Sequence, residues 1–352
     1  MNELRTILGD VVTRLFTERV TKEQLESAEA GAWPEALWRA VEENGLTWPL
    51  VPEDKGGAGG TWSDAFVVAR AAGRHAVPLP VVETIVGSWL LSASGLDVPS
   101  GPLTIAPVHR EERLRLTRAG SGWRLGGTAG RVPWGRSAGH VVVVTEAEGR
   151  AMVALVAPSA SQVKADQNLA REPRDTLIFD GAPVVAASPA GPGVPAQAVW
   201  LYGALVRSAQ MAGGLDYLLR QASQYATERR QFGKPIASFQ VIQQNLAVLA
   251  GHTAAAGTAA ANAFRAADRG DAAFETAVAK VRVGEAAGIG ASIAHQVHGA
   301  IGFTYEHALQ FATRRLWSWR AEFGGEGEWA AELGRSVAER GADALWPHLT
   351  AR

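Results

Sequence analysis

An α+β fold in three successive parts, helices, then strands, then a helical bundle, follows from three observations on this 352-residue chain. Apolar residues recur at helical spacing through residues 1–102. The period shortens to that of short β-branched strands over residues 103–194. Helical spacing then returns in longer runs over residues 195–352. The order constrains the architecture more than any single motif does, and it predicts an N-terminal helical domain, a small antiparallel β domain and a C-terminal four-helix bundle.

The elements can be justified in order. "LGDVVTRLF", "AWPEALWRAVEENG" and "TWSDAFVVARAAGRHA" each carry an apolar stripe and are bounded by Gly or Pro, so they read as helices. "WPLVPEDKGGAGGTWSD" is a glycine-rich loop, with Thr61 or Ser63 placed to cap the helix after it. "LTIAPV", "RLRLTRAG", "GWRLGGTAG", "HVVVVTEAEG", "AMVALVAP" and "DTLIFDG" are strands separated by turn residues. Four long helices follow, the last containing "EHALQFATRRLWSWRAEF". No repeat at solenoid period occurs.

Composition removes several classes of function. With 34 Lys and Arg against 35 Asp and Glu, the formal charge is -1, which argues against a nucleic-acid groove or a membrane-binding surface. The chain has no cysteine, so disulfides, thiolate metal sites and cysteine nucleophiles are excluded. The opening "MNELRTILGDVVTRLF" is a mixed amphipathic helix without a signal peptide's apolar core, and no apolar run is long enough to span a bilayer. A cytoplasmic protein is the expectation. His295 and His298 lie three apart on a helix with no third ligand nearby, a weak metal pattern. "GGAGG" lacks the Lys-Ser/Thr ending and the preceding parallel strand of a phosphate loop.

The turn in "ERRQFGKPIASFQVIQQNLA", residues 228–247, is over-equipped for a plain connection. Arg229 and Arg230 could simply face the helix dipole at its C-terminus. The other reading is an anion site, since Arg forks bind pyrophosphate bidentately and Phe232 can stack on a flat ring.

These residues resemble the acyl-CoA dehydrogenase family, whose flavoenzymes carry a similar R-x-x-F-G-x-x-x-x-x-x-Q segment. "QVHGAIGFTYEHALQF" at 296–311 is similar to that family's Q-x-x-G-x-x-G-F/Y-x-x-E segment. "VPEDKGGAGG" and "NLAREPRDTLIFDGAPV" resemble its N-terminal loop and last β-domain strand, so the likeness covers most of the chain in order. The resemblance implies FAD as cofactor, an acyl-CoA or other acyl-thioester substrate, and an electron-transfer acceptor. It implies that Arg229 holds the FAD pyrophosphate, that Gln231 and Phe232 pack against the cofactor, and that Gln240 contacts it. Gln296, Gly299 and Gly302 would lie where backbone approaches the ADP portion. Each FAD would cross an interface in a homo- or hetero-oligomer, a dimer or tetramer.

Two departures qualify that expectation. The family's Thr-Glu-Pro-Gly-x-Gly-Ser-Asp segment is replaced by "LTIAPVHREERLRL". The stretch "GGTAGRVPWGRSAGH" puts Arg131 and Pro133 where members place the pair beside the isoalloxazine ring. The family's chemistry also needs a carboxylate base near the substrate α-carbon. Counting from Gly302 reaches Phe323, with Glu322 one residue earlier as the candidate base and Glu326 and Glu328 as rivals on the same connection. The other place some members use, within "HTAAAGTAAA", holds no acid. Three accounts stay open: a dehydrogenase using Glu322 for α,β-desaturation; a subunit of a heteromeric enzyme, of the kind acting on steroid or other bulky acyl-CoA side chains, that completes a partner's FAD site; or the fold turned to another flavin reaction in a biosynthetic pathway.

Overall fold

The computed structural model describes residues 3–351. Helices α1 (Glu3–Arg19), α2 (Lys22–Glu29), α3 (Glu35–Glu43), α4 (Trp62–Arg74) and α5 (Val81–Ala93) form the first part; of the expected opening helix, Met1 and Asn2 lie outside the described residues. Helix α4 is held at its start by Asp64, which accepts the Thr61 N–H at 2.9 Å, so Thr61 rather than Ser63 is the cap. Sequence reading did not pick out α5: it is buried nearly all round, so its apolar residues mark no stripe.

The central part contains β1 (Leu103–Ala106), β2 (Arg115–Ala119), β3 (Gly122–Pro133), β4 (His140–Ala147), β5 (Arg150–Val156), β6 (Gln162–Lys164), β7 (Arg174–Pro183) and β8 (Ala186–Pro189). They make two four-stranded sheets, ordered β1-β4-β5-β8 and β2-β3-β7-β6. Pairing is antiparallel except between β1 and β4, which run parallel. Residues 107–114 form a loop between β1 and β2, so "RLRLTRAG" enters its strand only at Arg115.

The last part is built on α6 (Ala198–Glu228), α7 (Gln240–Asp268), α8 (Ala273–His298) and α9 (Leu309–Ala321), the four expected helices. A two-residue ribbon, β9 (Arg230–Gln231) with β10 (Lys234–Pro235), links α6 to α7. Two further helices, α10 (Glu326–Arg340) and α11 (Ala342–Thr350), follow. The sequence places Glu326 and Glu328 on a connection, whereas residues 326–340 are helical. They fold as helix because Trp329 is buried and stacks on Trp200 with ring centroids 3.7 Å apart. On the inner face of α7, Ala256, Ala260 and Ala263 are fully buried in the bundle.

Helices α4 and α6 cross almost backbone to backbone. A Cβ on Gly73 would lie 1.9 Å from the Gln210 carbonyl oxygen, and one on Gly213 would lie 1.9 Å from that of Arg70. Only glycine permits the approach. Gly213→Ala should therefore destabilise the chain by about 1–3 kcal/mol, measured by urea unfolding, whereas alanine at Gly257, which has open space around its Cβ position, should be neutral or stabilising.

Candidate functional site

The expected cofactor residues gather at one end of the bundle. Arg229 ends α6 in an extended conformation and is exposed, as are Gln231 in β9 and Gln240 at the start of α7. Phe232 is 92% exposed with φ of 50°, a left-handed conformation in which the tight turn holds a bulky residue outward. Gln296 is exposed on α8, and Gly299 terminates that helix with φ 63° and ψ -145°, a region open to glycine. Gly302 is buried, with its Cβ position 2.9 Å from His298 Cβ. Tyr225, Ile236, Leu246, Leu249 and Val297 pack together beneath these segments, and Tyr225 stacks on His298 at 4.6 Å. So the ribbon and the Gln296–Gly302 turn share one platform.

Glu322 lies elsewhere, in the junction between the three parts of the chain. Its two oxygens are taken by two guanidiniums: Arg174 Nε donates to Oε1 at 2.6 Å and Arg207 Nε to Oε2 at 2.7 Å. Arg207 also pairs with Glu83 of α5, and Arg174 with Glu172 at 2.8 Å. Glu172 in turn accepts from Trp319 Nε1 at 3.0 Å and lies 3.1 Å from Arg315 Nε. Arg315 and Arg314 reach Glu29 of α2. Glu83, Glu172, Arg174, Arg207, Arg315 and Glu322 are all buried, so three carboxylates meet three guanidiniums away from water.

The electrostatics follow from that pairing. Burial alone would raise the Glu322 pKa, but Arg174 and Arg207 outweigh it and hold the carboxyl at about 2. Glu322, the expected base, is thus placed with its lone pairs engaged by two guanidiniums and its pKa moved away from neutrality. Phe323, where the count from Gly302 lands, is buried, and its ring packs on Gly203, whose Cβ position lies 2.4 Å from it. Lys280 is also buried; desolvation lowers its pKa to about 7, and Nζ donates to the carbonyls of Trp319, Arg320 and Glu322 (3.4, 3.2 and 2.8 Å), capping α9. The rival acids are no better placed. Glu326 pairs with Arg320 at the start of α10, and Glu328 is exposed on its first turn.

The donor set tests the fit to FAD. The ribbon end fits an ADP-like group, with an exposed guanidinium, amides and an exposed ring side by side. The β-domain wall does not fit a flavin ring. Pro133 has no N–H, and its carbonyl accepts from Thr104. The neighbouring Gly130 N–H donates to Glu112 at 2.6 Å, and the Trp134 N–H to the Pro173 carbonyl at 3.0 Å. Arg131 turns outward towards Asp166, 3.8 Å away. The donors that a ring edge would need are already used.

Sequence reading missed Glu83, Arg174, Arg207 and Lys280. The available signal was a lone charge inside an apolar run, as in "VVETIVG", "GALVRSAQ" and "TAVAKVRV". Such a charge must find a partner when its helix is buried.

A helical, β, helical chain carrying this ribbon at the end of its last bundle has the architecture of the flavoenzymes that act on acyl thioesters. Sequence models of the acyl-CoA dehydrogenase N-terminal and C-terminal domains match residues 2–97 and 196–331, and the chain belongs to the acyl-CoA dehydrogenase family, whose cofactor is FAD. It is 32% identical over 312 residues to the acyl-CoA dehydrogenase FadE34 of Mycobacterium tuberculosis, covering 86% of this chain but 42% of that protein, so it spans about two fifths of that relative's length. It is 27% identical to the acyl-CoA dehydrogenase IpdE2 of the same organism, covering 89% of this chain and 91% of IpdE2. Among solved structures, a chain of the ChsE4-ChsE5 complex from Mycobacterium tuberculosis matches with a TM-score of 0.88 and 25% identity, covering 97% of this chain and 99% of that one. Butyryl-CoA dehydrogenase from Megasphaera elsdenii shares the fold at a TM-score of 0.83 and 16% identity. Among the described residues, no helix is long and apolar enough to cross a membrane.

Removing the Glu322 charge should be costly. Glu322→Gln leaves two buried guanidiniums underpaired and should lower unfolding free energy by about 3–5 kcal/mol, read by chemical denaturation. The pH dependence has a definite sign. A folded pKa of about 2 against an ordinary value of 4.5 gives stability that is complete above pH 4.5 and is lost as pH falls from 4.5 towards 2, amounting to about 3 kcal/mol. Thermal melts across that window should show the loss in the native chain and a smaller one in Glu322→Gln.

Proposed function

We propose that this chain is the FAD-completing, non-catalytic subunit of a heteromeric acyl-CoA dehydrogenase that carries out α,β-desaturation of an acyl-CoA. Its ribbon would supply Arg229, Gln231 and Phe232 to a cofactor seated in a second, related chain, with Gln240, Gln296, Gly299 and Gly302 alongside. FAD held there would supply the hydride-accepting redox chemistry, for later transfer to an electron-transfer acceptor. The observation that carries the reading is the contrast between the two ends of the site. The catalytic junction is filled by Glu322, Phe323 and their buried partners, while the pyrophosphate-side residues stand free at the surface.

Surface chemistry supports an interface at that end. Phe232, Val241, Val248, Ile301, Phe303 and Tyr305 are all exposed, an apolar patch of the sort that marks a protein contact. Arg229 supplies a planar fork suited to pyrophosphate. The likeness to a chain crystallised in a two-component complex agrees with a hetero-oligomer.

Flavin content decides the matter. The chain expressed alone should purify without visible flavin absorbance, and co-expression with its related partner chain should give a yellow complex holding fewer FAD molecules than chains. Arg229→Ala in the complex should weaken FAD retention about tenfold or more, with assembly unchanged by light scattering. One FAD per chain in the isolated protein, bleached on adding an acyl-CoA, would overturn the reading.

A further inference from the structure

The same close crossing of α4 on α6 has a second consequence, on the outer surface. Gly73 and Gly213 bring the helices together so tightly that the residues beside them, Arg70 and Arg74 on α4 and Asp216 and Arg220 on α6, line one cleft of about 400 Å³ with Leu219 and Ser223. Charge there is not balanced. Arg70 Nε pairs with Asp216 at 2.7 Å, which uses the cleft's one carboxylate. Arg74 and Arg220 make no hydrogen bond or ion pair among the described residues. His75 next to them adds no charge near neutrality, because burial first, and then Arg74 and Arg220, press its pKa down to about 4. Burial first, and then Arg220, lower that of Arg74, with Asp216 acting against them.

A helix C-terminus accounts for only part of this. Arg74 closes α4 and gains from its dipole. Arg220 sits well inside α6 and gains nothing of the kind. A second cleft of about 510 Å³ shares Arg70, Asp216 and Leu219 with the first. It continues over α7 along Ala250, Ala254, Gly257 and Thr258 to a further cation, Arg265. Thr253 lines it too, 5% exposed and with a hydroxyl that lacks a hydrogen-bond partner.

We propose that Arg74 and Arg220, with the Ser223 hydroxyl, form a binding site for a phosphoryl group of a small phosphorylated molecule, whose organic portion lies in the groove floored by Ala250, Ala254 and Gly257. Two guanidinium forks converging on one cleft match the oxygen edges of a phosphomonoester or pyrophosphate. The site is separate from the ribbon. Arg220 and Arg229 are nine residues apart, roughly 14 Å along the helix and on opposite faces at about 100° per residue. The assignment therefore stands or falls independently of the proposed role of Arg229.

Calorimetric titration tests it in the Arg229→Ala background, which removes the ribbon's guanidinium. Inorganic pyrophosphate and ADP are the probes, each against sodium chloride of equal ionic strength. Both should give saturable binding, tighter for ADP because the groove takes its organic part, and Arg74→Gln or Arg220→Gln should weaken it about tenfold or more. Circular dichroism and melting temperature establish that these surface variants fold, and FAD content of the assembled complex should not change in them. No saturable heat with either probe, or equal heat in the Arg74→Gln/Arg220→Gln double variant, would overturn the site. Tight binding of poly-glutamate with none of pyrophosphate would also overturn it, assigning the cleft to an acidic protein partner.

Discussion

The buried knot of guanidiniums and carboxylates around Glu322 is the constraint on which the arrangement of the whole chain depends. Glu83 comes from the first helical part, Glu172 and Arg174 from the β part, and Arg207, Arg315 and Glu322 from the bundle. Glu83 finds its guanidinium only across the boundary, at Arg207, and Arg174 reaches Glu322 of the bundle while Arg315 reaches Glu172 of the β part. Apolar packing would hold the parts together equally well, since a buried ion pair adds little net stability over a hydrophobic replacement. What the knot adds is a specific register: a rotation or slip that hydrophobic surfaces would tolerate here strands a charge in a low dielectric.

The aromatic residues around the junction make that register rigid. Trp329 donates to the Phe323 carbonyl at 2.9 Å and stacks on Trp200, while Gly324, with φ of 88°, lets the chain turn beneath the indole, 2.7 Å from its Cβ position. On the other side, Trp62 stacks on Tyr202 at 4.7 Å, and Trp89 and Phe264 close around them. Several of the chain's twelve Trp thus share a physical use: flat, large side chains fill the centre of the fold.

Much of the fold was legible because its signals are local. Long amphipathic runs, Gly and Pro breaks and β-branched segments located the three parts, and the motif at 228–247 placed the ribbon. What escaped was of two kinds. Elements buried on all sides, such as α5, have no stripe to read, and α10 owes its place to a tryptophan partner more than a hundred residues away. The junction escaped for a stronger reason. Arg174 and Glu322 are 148 residues apart and Arg207 and Glu83 are 124 apart, so no spacing rule joins them. Glu322 was reached by counting from Gly302, and that count carries no sign of the two guanidiniums that hold it.

The one-residue offset between Phe323 and Glu322 is fixed by the backbone at Phe323. Phe323 sits at φ 54°, a strained value for an aromatic residue, and that turn sends Glu322 inward while laying the ring on Gly203. Exchanging the two would pull a carboxylate away from two guanidiniums and leave both buried without it, while the ring lost its cover. The separation of one buried ion pair from one partner already costs about 3–5 kcal/mol, comparable with the whole stability of a marginal domain. A structure in which the acid is held this firmly, beside a β wall whose donors are spent, has committed its centre to holding three parts together. At the rim, by contrast, Arg229 and Phe232 face outward.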